Sequence, residues 1–146
     1  MFRPILLTAA LVAASPSFAE MITKPSPHSV TETADRLAAA IEGAGATLVA
    51  RVPHSAAAAS VDMELPESIL MIFGNPKVGT PVMQQDLRAG LTLPLRVLVH
   101  ADGDGAAVTY QTADDLFAGM DVDLGSEAAM TINGALGKLT DAAVAE

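Results

Sequence analysis

The chain has 146 residues, 51% of them hydrophobic, with no cysteine, no tryptophan and 17 acidic against 8 basic residues, a formal charge of −9. The absence of cysteine excludes a disulfide scaffold, a thiolate metal site and a cysteine nucleophile, and the length suits one core rather than two. Alanine supplies 28 of the hydrophobic residues, so the mean hydropathy of +0.40 accompanies an ordinary globular share of larger apolar side chains.

Residues 1–19 have the pattern of a secretory signal peptide. Arg3 gives a positive start, Ile5 to Ala14 is apolar apart from Thr8, and Ser17-Phe18-Ala19 sets small residues before Glu20. The apolar run is half the length a membrane-spanning helix needs. Cleavage between Ala19 and Glu20 is therefore expected, leaving residues 20–146 as one periplasmic or secreted domain with no membrane insertion. Arg3 leaves with the signal and no acid does, which takes the formal charge from −9 to −10. Scattered basic residues on so acidic a chain argue against nucleic acid as a partner.

In the remaining chain, Met21 to Lys24 reads as a short strand before Pro25 and Pro27. Ser29-Val30-Thr31-Glu32 fits a capping box, and Val30, Ala34, Leu37, Ala38 and Ile41 continue at helical spacing to Gly43 and Gly45. Ala46 to Val52 alternates as a strand. Ser55 is expected to cap a turn of helix over the four alanines 56–59. Ser68 to Phe73 is a continuous apolar run closed by Gly74-Asn75-Pro76, as in a buried central strand. Thr80 and Pro81 predict a short helix over Pro81 to Leu87, with Thr80 as its cap.

Leu95 to Val99 and Ala106 to Gln111 are strands joined by Asp102-Gly103-Asp104-Gly105, a hairpin turn. Thr112 to Gly125 reads as polar and irregular. Ser126 to Val144 closes the chain as a helix with Ala129, Ile132, Leu136, Leu139 and Ala143 on one face, weakened by Gly134 and Gly137. The order β-α-β-β-(short α)-β-β-α predicts an α+β fold, an antiparallel sheet with two long helices on one face. Met71 and Met130 are expected to fill its core.

Four segments together carry a family likeness: Ala50-Arg51-Val52-Pro53-His54, Ile69 through Pro81 with Gly74-Asn75-Pro76-Lys77-Val78-Gly79-Thr80 at its centre, Leu91 through Arg96, and Tyr110. Over about residues 22 to 141 the chain resembles the bacterial family known as domain of unknown function 302. The resemblance implies a compact α+β domain laid out like half of a TATA-binding-protein fold, and pairing as a homodimer. It implies no agreed reaction.

Candidate chemistry centres on Gly74 to Thr80, between a buried strand and a helix start. Backbone donors there, with Asn75, Lys77 and Thr80, suit a carboxylate or phosphate; the same residues also suit a plain strand-to-helix turn. The glycine spacing is not that of a P-loop. His54, at a strand end, is placed near this loop, where with Lys77 and Tyr110 it offers acid–base groups; His28 and His100 are weaker candidates. No metal site is expected: the methionines are unclustered, and a calcium loop starting at Asp102 would need glutamate where Ala113 stands. No cofactor is expected. The sequence thus favours a non-catalytic domain binding a small anionic or polar ligand through His54, Asn75, Lys77, Thr80 and Tyr110. A structural or homodimeric interaction module is the alternative, and an enzyme using His54 and Tyr110 comes third.

Overall fold

The computed structural model describes residues 20–146; the expected signal segment, residues 1–19, lies outside them. Strand β1 (Met21–Ser26) leads to helix α1 (Val30–Gly43), strand β2 (Thr47–Pro53), helix α2 (His54–Ala59) and strand β3 (Ser68–Gly74). Helix α3 (Pro76–Gln85) and a 3-10 turn (Leu87–Leu91) precede the hairpin of β4 (Leu95–Asp102) and β5 (Gly105–Gln111). A short helix α4 (Ala113–Leu116) and the long α5 (Glu127–Val144) complete the chain. The strands form one five-stranded antiparallel sheet in the order β1-β5-β4-β3-β2.

Period-two alternation gives this sheet two different faces. Met71 and Phe73 on β3, Val97 and Val99 on β4, and Val108 on β5 are buried against Leu37 and Ile41 of α1 and Ile132 and Leu136 of α5. Each such fully buried side chain is worth about 1.5–3 kcal/mol. Val52, Leu70, Ile72 and Leu98 point the other way and lie outside that core, partly exposed.

Both long helices start on the expected capping chemistry. Ser29 Oγ accepts from the Glu32 amide at 3.1 Å, and Ser126 Oγ accepts from the Ala129 amide at 3.4 Å. Polar ties then hold the layers together. Ser26 and Thr33, both buried, share a 2.8 Å hydrogen bond. Arg36 on α1 donates to the Ala143 carbonyl in the last turn of α5 and to the Ala145 carbonyl just past it.

Four local expectations are corrected. Helix α3 begins at Pro76 rather than Pro81, with Asn75 Oδ1 accepting from the Lys77 amide at 3.0 Å. Thr80 is thus inside the helix, and Asp86 leaves it at an extended backbone to cap the 3-10 turn. Helix α2 starts at His54 without a side-chain cap, and Ser55 Oγ instead accepts from the Ser68 amide at 3.4 Å. Met71 is buried, but Met130 is 57% exposed, because it lies off the Ala129–Ile132–Leu136 stripe. Within the stretch expected to be polar, Leu116 and Phe117 are buried under α5.

Candidate functional site

A cleft of about 660 Å³ opens at the end of the sheet where β3 finishes and β4 begins. Phe73 and Leu95 form its floor, Val78 and Met83 of α3 one wall, and Ile132 and Leu139 of α5 the other. Small residues keep it open: Ala44 and Ala46 stand before β2, and Ala135 faces in from α5. Gly79 brings α3 against Leu93, whose Cδ1 would lie 3.6 Å from an added Cβ.

Among the described residues, no charged side chain lines the cleft, and its polar groups are Thr47, Asn75, Thr80 and Thr131. A concave apolar cavity with a few convergent polar groups is the common form of a small-molecule site, and the volume lies in the usual range. Asn75 has its Oδ1 engaged by the helix cap, which leaves its amide nitrogen to face a ligand.

The residues singled out from the sequence do not all meet here. Asn75 and Thr80 line the cleft. Lys77 is exposed on the first turn of α3, between the lining residues Pro76 and Val78. His54 lies at the other end of β2: Thr47 pairs with Gly74 and Pro53 with Ile69, five residues and roughly 17 Å along the sheet. Tyr110 is buried beneath α5, with Lys24 Nζ 5.6 Å from its ring centroid. Three strand spacings, roughly 14 Å, separate β5 from β2, so His54 and Tyr110 are too far apart for one bridging water.

Sequence reasoning missed the apolar lining itself. Val49 belongs to that lining, 59% exposed on an edge strand where a bulge between Leu48 and Ala50 interrupts the register, and neither property carries a signal in the sequence. One electrostatic knot positions the cleft rim. The Arg88 guanidinium clamps Asp86 in a two-oxygen pair, and Asp86 also accepts from the amides of Asp121 and Arg88. These donors hold the Asp86 carboxyl well below the usual carboxylate range, and the same pairing raises Arg88. The knot fixes the 3-10 turn, whose Gly90 lines the cleft.

Residues 22–142 match the profile of the family described as Domain of unknown function DUF302. The chain belongs to the DUF302 family. The fold agrees, since a DUF302 protein from Bacillus stearothermophilus, known as a crystal structure, superposes with a TM-score of 0.68 over 85% of this chain and 94% of that one. At 15% identity this likeness speaks for the fold alone. Two Brucella proteins, the fluoride-specific ion channel FluC 1 of Brucella suis and that of Brucella abortus, are each 44% identical over 85 residues, 58% of this chain. The match spans only 34% and 32% of their respective lengths, so the DUF302 chain corresponds to about a third of those relatives. Among the described residues no helix is long and apolar enough to cross a membrane.

Proposed function

We propose that this DUF302 domain is a non-catalytic binding protein for a small molecule with an apolar body and one polar or anionic end. The observation that carries this reading is the 660 Å³ cleft, apolar except for Thr47, Asn75, Thr80 and Thr131. The apolar body lies between Phe73, Val78 and Ile132, where its burial is favoured by about 25 cal/mol per Å². The polar end meets Asn75 and Thr80 at the N-terminal half of α3, with the Lys77 charge beside it. The lining offers no titratable side chain for proton transfer, which favours holding a ligand over transforming it. Export of the domain rests on the pattern in residues 1–19, and fractionation of cells into cytoplasm and periplasm tests it.

A thermal-shift experiment with decanoate, decanol and inorganic phosphate tests the binding reading. A ligand at about 100 times its Kd adds about 2.7 kcal/mol of stability. Decanoate and decanol are expected to raise Tm, phosphate is not, and Lys77→Ala is expected to weaken decanoate more than decanol. No shift with either ten-carbon compound would sink the proposal.

A second reading starts from the fluoride-channel relatives, in which the matched segment is a minor part. On that reading the domain acts beside an ion-conducting protein. Deleting its gene should sensitise cells to fluoride, and unchanged growth on fluoride counts against it.

A further inference from the structure

We infer that the polar end of the ligand is uncharged, a carboxamide or hydroxyl rather than a carboxylate, phosphate or amine. This rests on the binding reading above and narrows its ligand class. The start of α3 has no amide to spare for an anion. A free helix N-terminus offers up to four unpaired N–H groups. Here Pro76 has none, and the Lys77 amide donates to Asn75 Oδ1 at 3.0 Å. The Val78 and Gly79 amides both donate to the Asn75 carbonyl at 2.9 Å. An oxyanion entering the cleft meets donors that are already engaged.

Charge around the cleft points the same way. Ala44, at the C-terminal end of α1, lines the cleft, and that helix has no basic residue in its last turn. A helix end of this kind carries about half a negative charge, and Glu42 stands two residues before Ala44. On α5, Glu127 lies four residues before the lining residue Thr131, on the same helix face. The one cation of α3, Lys77, is exposed and outside the lining. An ammonium fares no better, because no carboxylate lines the cleft and burying it there leaves its charge unpaired.

What the lining does offer is neutral and unused. Thr80 and Thr131 lie within helices, where a threonine hydroxyl can return to the carbonyl one turn back, as Thr140 does to Leu136 at 2.7 Å. Among the described residues the hydroxyls of Thr80 and Thr131 have no such partner, and that of Thr47 is equally free. Thr47 pairs with Gly74 across the sheet, which sets it beside Asn75 and the spare amide nitrogen of that residue. A carboxamide matches this set: its carbonyl accepts from Asn75 Nδ2, and its N–H donates to a threonine Oγ1.

Calorimetric titration with octanamide, octanoate and octylamine at about pH 7.5, where the last two are ionised, tests the inference. The three share one tail, so its burial cancels in the comparison. Octanamide is expected to bind at least about tenfold more tightly than either ion. Asn75→Asp keeps a side-chain cap on α3 but replaces the amide donor with a carboxylate oxygen. It should weaken octanamide by about tenfold and tighten octylamine by about tenfold. Thr47→Lys, on an exposed edge strand, should tighten octanoate by about tenfold. Far-UV spectra identical to the native one establish that both variants fold. Octanoate or octylamine binding as tightly as octanamide overturns the inference and leaves the cleft as a binding site. Preferences unmoved by both variants overturn the roles of Asn75 and Thr47. Binding of none of the three overturns the inference, and if decanol also fails to bind, the binding reading falls with it.

Discussion

Asp86 and Arg88 form a closed pair two residues apart: Arg88 places Nε 3.0 Å from both Asp86 carboxylate oxygens and its terminal nitrogen 2.6 Å from Oδ2. The carboxylate also caps the 3-10 turn and accepts from the Asp121 amide at 2.9 Å. One side chain thus joins the end of α3, the turn that carries Gly90 and the loop before α5. The cleft owes its rim to that junction.

A pH dependence follows. The folded Asp86 carboxyl is depressed below its ordinary value of 3.8, so the unfolded chain takes up the proton first as pH falls. The stability it contributes is therefore fully present above about pH 4 and is lost progressively below it. Denaturant titrations from pH 7 to pH 2 should show native stability falling more steeply below pH 4 than that of Asp86→Asn. Equal slopes for the two proteins would refute this.

Lys24 ties the edge strand to the last helix. Its Nζ donates to the Gly137 carbonyl at 3.1 Å, Thr140 Oγ1 at 2.8 Å and Asp141 Oδ1 at 2.6 Å. Lys24→Met leaves part-buried acceptors on α5 without this donor and should cost about 1–3 kcal/mol. Asp141 is 70% exposed, and Asp141→Asn should cost less than about 1 kcal/mol. Chemical denaturation of both variants checks the order.

Two glycines should respond oppositely to alanine. At Gly134, inside α5, an added Cβ meets nothing within 4 Å, so Gly134→Ala should stabilise by up to about 1 kcal/mol through helix propensity. At Gly105 the added Cβ would sit 2.5 Å from the Ser26 carbonyl oxygen. Gly105→Ala must push β1 off β5 and should destabilise by about 1–3 kcal/mol. Paired melting curves decide it.

Much of the fold was legible because its strands and two long helices carry strong periodicity and local stop signals. Ser29, Ser126 and the Asp102–Gly105 turn each state their structure within four residues. Helix α3 was misplaced because two prolines compete for its start. Thr80 before Pro81 looks like a cap, yet Asn75 before Pro76 wins, and Pro81 is accommodated inside the helix at the loss of one backbone donor. Met130 was misassigned because methionine carries little positional information without the helical phase. Of the site, Asn75 and Thr80 were visible through their loop chemistry. The cleft itself was not, since Ala46, Phe73, Leu93 and Ile132 are individually ordinary and meet only through sheet pairing and helix docking.

The most direct test of ligand binding in the cleft is amide chemical-shift mapping of the isotopically labelled protein during titration with decanoate. The predicted result is saturable shifts at Gly74, Gly79, Gly90 and Ala135, with Leu70 and Leu98 on the open sheet face unchanged. Shifts confined to the open face, or none at millimolar decanoate, would contradict an apolar-ligand site between α3 and α5.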